Sequence, residues 1–148
     1  TSHLGIFGDK ISLFNTGFWM LKKWRNSMFL QQVSMTDHDN PRETFLYKLA
    51  KLRGFELFQN VILTSCCEDQ YGPMQSARAE IHPDWEGVAD KEVYREMVDN
   101  LWGPVRPERV RRLDINFVIL EKNLDSFIGR TAHIQFLECQ PMMKMLVH

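Results

Sequence analysis

The stretch Val61-Ile62-Leu63-Thr64-Ser65 constrains this chain more than any other feature. It is short, almost continuously apolar and rich in β-branched residues. Such a run is expected of a strand covered on both faces, as in a parallel sheet with helices packed above and below. Ile115-Asn116-Phe117-Val118-Ile119-Leu120 is a second run of the same kind. Helical patterns stand before, between and after the two. The order helix, helix, strand, helix, helix, strand, helix predicts an α/β chain, and 148 residues suffice for one domain.

The helical patterns differ in strength. Between Thr16 and Val33, Phe18, Leu21, Trp24 and Met28 recur at helical spacing, with Lys22, Lys23, Arg25 and Asn26 opposite. An amphipathic helix packed on a core is the first reading. Trp19 and Trp24 beside three basic residues keep open a second, docking on a membrane surface or a partner. Asn40, Pro41 and Glu43 form a helix start, after which Phe45, Leu46, Leu49 and Leu52 make an apolar stripe that Gly54 ends. Met74 to Ile81 predicts a short helix. Ala89 to Leu101 predicts a longer one, with Val93, Met97 and Leu101 inward and Trp102-Gly103-Pro104 as its stop. Arg106, Arg109, Arg111 and Arg112 are expected in a turn, as a solvated or salt-bridged face. A last helix is expected from Thr131 through Leu137.

Several function classes fall away. Eighteen basic residues against nineteen acidic ones leave a net charge of −1, so no chain-wide field draws nucleic acid. No apolar run approaches membrane-spanning length, and no secretory leader is visible. Three cysteines, two adjacent, make a poor disulfide framework and favour an intracellular, cytoplasmic setting. There is no phosphate-binding loop, dinucleotide fingerprint, Cys-x-x-Cys or His-Glu-x-x-His, and no cofactor or metal is called for. Asp37-His38-Asp39 reads as a solvated loop, because three consecutive side chains converge poorly on one ion. Cys66 and Cys67 read as buried structural thiols, since Glu68 and Asp69 beside them oppose a thiolate.

Two positions stand out by where they fall. Asp69 lies four residues beyond the first strand, and His133 lies beyond the second. Open parallel sheets gather ligands and catalytic groups just past the carboxyl ends of their strands. A carboxylate there can orient an imidazole, which in turn takes a proton from a serine hydroxyl. Acid before histidine is the chain order of α/β-hydrolases. Glu68 competes with Asp69 for the acid role, and His82 and His148 compete more weakly for the base.

The local text carries a resemblance. Asp69, Tyr71, Pro73, Ser76, Ala77 and Arg78, within VILTSCCEDQYGPMQSAR, resemble the strand-plus-acid segment of the lipase-like putative serine esterase group of α/β-hydrolases, domain of unknown function 676. The segment is similar in particular to the carboxyl-terminal domain of family with sequence similarity 135. Gly129-Arg130-Thr131-Ala132-His133-Ile134 resembles the step after that family's final strand. His3-Leu4-Gly5, Asn15-Thr16-Gly17 with Trp19, and Phe45-Leu46-Tyr47 with Leu49 resemble text downstream of its nucleophile. The resemblance implies the carboxyl-terminal part of an α/β-hydrolase fold, parallel strands flanked by helices, spanning residues 1–148 as a portion of one domain. It implies Asp69 as triad acid and His133 as triad base, with an ester or lipid as substrate. It also implies that the nucleophilic serine and the oxyanion-hole donors belong to an upstream segment. Thr1 in place of Met fits a piece of a longer protein; a processed terminus is the other reading. The competing function is a non-catalytic α/β-hydrolase-fold module for interaction or lipid binding.

Overall fold

A computed structural model of the chain describes Leu4 and residues 27–67, 69, 74–81, 90–116 and 138–147. In chain order these form α1 (Met28–Val33), a 3-10 turn at Pro41–Glu43, α2 (Phe45–Ala50), a second 3-10 turn at Phe55–Leu57, and strand β1 (Val61–Ser65). There follow α3 (Met74–Arg78), α4 (Lys91–Trp102), a third 3-10 turn at Pro107–Arg109, strand β2 (Val110–Asp114) and α5 (Gln140–Val147). The two strands are parallel, pairing Val61 with Val110 through Ser65 with Asp114. Parallel neighbours need a long crossover, which here contains α3 and α4. The α/β class expected from the pattern is therefore present in a two-stranded sheet among the described residues.

β1 occupies the residues expected of it, but its faces are unequal. Val61, Leu63 and Ser65 are buried, while Ile62 is 42% exposed and Thr64 half-buried. The second described strand, β2, stands ahead of the expected run. It covers Val110–Asp114, whereas Ile115 and Asn116 lie past its end and 117–120 fall outside the described residues. Arg111 and Arg112 therefore sit in a strand, not a turn. No apolar run announces it, because each arginine is satisfied locally. Arg111 Nη1 donates to the Glu108 carbonyl at 2.7 Å, and the Arg112 guanidinium lies 5.4 Å from the centre of the Trp102 ring. Stacked in this way, an arginine stem serves as apolar cover.

The core gathers Val61 and Leu63 of β1 with Leu46, Tyr47 and Ala50 of α2 and Val93, Tyr94, Met97 and Leu101 of α4. Leu4, Met35 and Ala79 belong to it as well. The inward spacing of α4 is as expected, with Tyr94 added. Burial pushes the Tyr94 hydroxyl well above the usual phenol range, an effect the Asp90 carboxylate reinforces. Gly103 closes the helix tightly: a Cβ there would meet the Asp99 carbonyl oxygen at 2.7 Å.

α2 presents a different face from the one expected. Leu46, Tyr47 and Ala50 are buried, while Phe45, Leu49 and Leu52 are 45%, 46% and 69% exposed. The reason lies in the start of the helix. Asn40 Oδ1 does cap Arg42 N at 3.0 Å, but it caps the 3-10 turn, and α2 begins afresh after Thr44. A 3-10 turn advances with a shorter period, so the inward phase moves by about one position. Met28 is likewise 73% exposed although grouped above with the inward residues; Ser27 Oγ accepts from Leu30 N at 3.3 Å and starts α1 there. Residues 16–26 and 131–137, where further helix is expected, lie outside the described residues.

α2 and α4 are also joined by a polar clamp. Arg42 Nε and Nη2 reach Glu96 Oε2 and Oε1 at 3.0 and 2.6 Å, and Tyr47 Oη donates to Glu96 Oε2 at 2.6 Å. The Arg42 and Tyr47 hydrogen bonds hold the Glu96 carboxyl down at about 2, below its ordinary 4.5. A carboxyl depressed by folding stabilises the fold above its unfolded value and loses that contribution as pH falls toward the folded one. Glu96→Gln is therefore expected to flatten the loss of stability between about pH 5 and pH 2, measured by urea unfolding. Added salt should narrow the difference, since the pair is exposed. A Glu96→Gln curve parallel to wild type across that range would contradict the clamp.

Candidate active site

The carboxyl ends of β1 and β2 meet in one polar cluster. Ser65, 1% exposed, donates its hydroxyl to Asp114 Oδ1 at 2.5 Å, and Ile115 N donates to the Ser65 carbonyl at 2.8 Å. Arg78, at the end of α3, brings Nη1 to the same Asp114 oxygen at 2.5 Å and directs Nε to Glu80. Arg112 Nε donates to the Arg78 carbonyl at 2.8 Å and lies 3.4 Å from Glu80 Oε2. The Ser65 hydroxyl first, and then Arg78, hold the Asp114 carboxyl below its usual range; the Glu80 hydrogen bond raises the Arg78 guanidinium.

α3 is shaped to deliver Arg78 there. Ala79 N bonds to the Ser76 carbonyl at 3.2 Å and Glu80 N to the Gln75 carbonyl at 3.3 Å, the paired closure of a helix that ends on a left-handed residue. That residue is Ala79, at φ 46°, where glycine is usual. Left-handed backbone at a residue bearing a Cβ costs about 1–2 kcal/mol. The surroundings hold it: Ala79 is fully buried, and Trp102 Nε1 donates to its carbonyl at 2.7 Å. Upstream on the helix, Ser76 Oγ accepts from Leu4 N at 3.0 Å, joining the start of the chain to α3.

Asp69 lies between these anchors. It is half-buried, in the turn that leaves β1, and its N–H donates to the Cys66 carbonyl at 3.4 Å. Its place beyond the strand end is as expected. His133, Glu68, His82 and His148 lie outside the described residues. All three cysteines are free thiols. Cys66 is buried as expected; Cys67 is exposed, and its Sγ donates to Asn116 Oδ1 at 3.3 Å. Consecutive residues leaving a strand point to opposite sides, so one thiol enters the core and the other leaves it. His38 Nδ1 accepts from Asn40 N at 3.0 Å, within its loop. Among the described residues no three His, Cys, Asp or Glu side chains form a cation cage, and no helix is long and apolar enough to cross a membrane.

Comparison with known families returns a match to Putative serine esterase (DUF676) over residues 1–81, more than half of the 148-residue chain. The chain belongs to this family. The putative serine esterase match takes in Leu4, α1, α2, β1, the turn bearing Asp69 and the Ser76-Ala77-Arg78 step. It stops short of α4, β2 and His133. No solved structure matches the chain.

The Asp114 side of the cluster escaped sequence reasoning. Asp114 is 36 and 49 positions from Arg78 and Ser65, and only the pairing of the strands brings them together. One signal was present: Ser76-Ala77-Arg78 belongs to the text that resembles the esterase group.

Proposed function

We propose that this chain supplies the acid and the base of a serine ester hydrolase, acting on lipid or other acyl esters. Asp69 is the acid and His133 the base. The observation that carries the reading is the position of Asp69, in the turn leaving a strand of a parallel pair, within the segment matched to the putative serine esterase family. The carboxylate holds the imidazole in the tautomer whose free nitrogen accepts the serine proton, and it stabilises the imidazolium that follows. The imidazole then returns that proton to the leaving alkoxide. The sequence contains no Gly-x-Ser-x-Gly elbow, so the reading places the nucleophile in a part of the parent protein outside residues 1–148.

An active serine nucleophile reacts covalently with a fluorophosphonate. In the intact parent protein such a probe is expected to label one serine, and peptide mapping is expected to place it outside this sequence. Labelling that fails in the folded parent would favour the non-catalytic module. Labelling at a serine of residues 1–148 would reassign the nucleophile.

A further inference from the structure

We infer that Asp114 is a positioning residue for the Asp69 turn, acting through Ser65 and Arg78; this rests on the triad reading above. The inference follows from where the three residues stand. Ser65 is the last residue of β1, immediately before the turn, and Arg78 ends the helix that follows it. Both side chains close on one oxygen, Asp114 Oδ1, each at 2.5 Å. Asp114 is in turn the last residue of β2, the strand paired with β1. The segment carrying Asp69 is thus held at both of its ends by a single carboxylate. A triad acid must stay within a fraction of an ångström of its working position, and that demands locked supporting residues.

Other contacts brace the arrangement. The Arg78 guanidinium is shared with Glu80, and its carbonyl receives Arg112 Nε at 2.8 Å. Ser65 is 1% exposed, so the donor end of its bond to the carboxylate is shielded from water. Arg78 is 20% exposed at its side chain and Asp114 45%. The carboxylate is therefore neither a buried core group nor a loose surface charge. Neither Arg78 nor Asp114 is assigned any contact with substrate, so both act through the turn they hold.

The test uses the intact parent protein and three readouts. Asp114→Ala is expected to lower kcat for a chromogenic short-chain ester about tenfold with KM within about twofold, because the loss falls on alignment and not on substrate binding. Arg78→Met should do the same, and the double variant should be little worse than either, because the two act on one turn. Arg78→Lys, which restores a cation toward Asp114, should recover part of the loss. Asp114→Asn keeps an acceptor for Ser65 and serves should the alanine variant fold poorly; a smaller loss of kcat in the same direction is expected. Amide hydrogen exchange across residues 66–69 should quicken in Asp114→Ala, whatever the chemistry. Folded variants with unchanged kcat, or with unchanged exchange across that turn, would overturn the inference. Asp69→Asn separates the two ideas. Full turnover in that variant would overturn the triad reading, while the exchange measurement still decides whether Asp114 holds the turn.

Discussion

Asp69→Asn in the intact parent protein is expected to fold as wild type and to lose turnover by about a hundredfold or more. The amide is nearly the size of the carboxylate, but it lacks the charge that stabilises the imidazolium and can present the wrong group to the ring. In a Ser-His-Asp triad the same change costs about ten-thousand-fold, so a hundredfold loss is the lower bound of a convincing effect. His133→Ala should be comparably damaging. The double variant should be little worse than either single one, since triad members act as a unit. Glu68→Gln is the control for the adjacent carboxyl and should retain most of the activity. Steady-state ester hydrolysis, with circular dichroism to confirm folding, measures all four. An Asp69→Asn protein with wild-type turnover would transfer the acid role elsewhere.

The second large effect concerns stability. Met97 has no exposed surface and sits between Val93 and Leu101 on the inward side of α4, facing the core that β1 and α2 share. Truncation to alanine removes the side chain beyond Cβ and leaves a cavity that close-packed neighbours fill incompletely. Met97→Ala is expected to cost about 2–5 kcal/mol of unfolding free energy. Leu57→Ala is the matched control, because Leu57 is 82% exposed and should change stability by no more than about 0.5 kcal/mol. Urea unfolding of both variants makes the comparison. Equal losses at the two sites would show that the core does not lie where α4 places it.

Some of this was legible in the residues and some was not, for identifiable reasons. β1 was readable because an apolar, β-branched run of five has few other uses, and its end located the Asp69 turn. α4 was readable because Val93, Met97 and Leu101 keep one phase over three turns. β2 was not, because Arg111 and Arg112 hide a strand from any reading based on hydropathy. Met28, and Phe45, Leu49 and Leu52 of α2, were misjudged: α1 starts at the Ser27 cap, and a 3-10 turn precedes the fresh start of α2 after Thr44. Ser65 and Asp114 are individually unremarkable in the sequence, and Arg78 stands out only as part of the family-like text. Their meeting depends on strand register, which local patterns do not encode.

That register has a consequence for how the chain tolerates insertions and deletions. Ser65 and Asp114 face each other across the sheet although 49 residues separate them. Outside α3, α4 and the Asp69 turn, the length of the crossover is therefore free to vary, since a loop that gains residues loses little closure entropy. The phase of β2 is not. Removing or adding one residue between Val110 and Asp114 would turn the carboxylate to the opposite face of the sheet. Ser65 and Arg78 would then confront a neighbour of different chemistry, even with every residue of the Asp69 turn intact. Length variation in this part of the chain is thus expected to collect in the connection, and to stop at the edge of the strand.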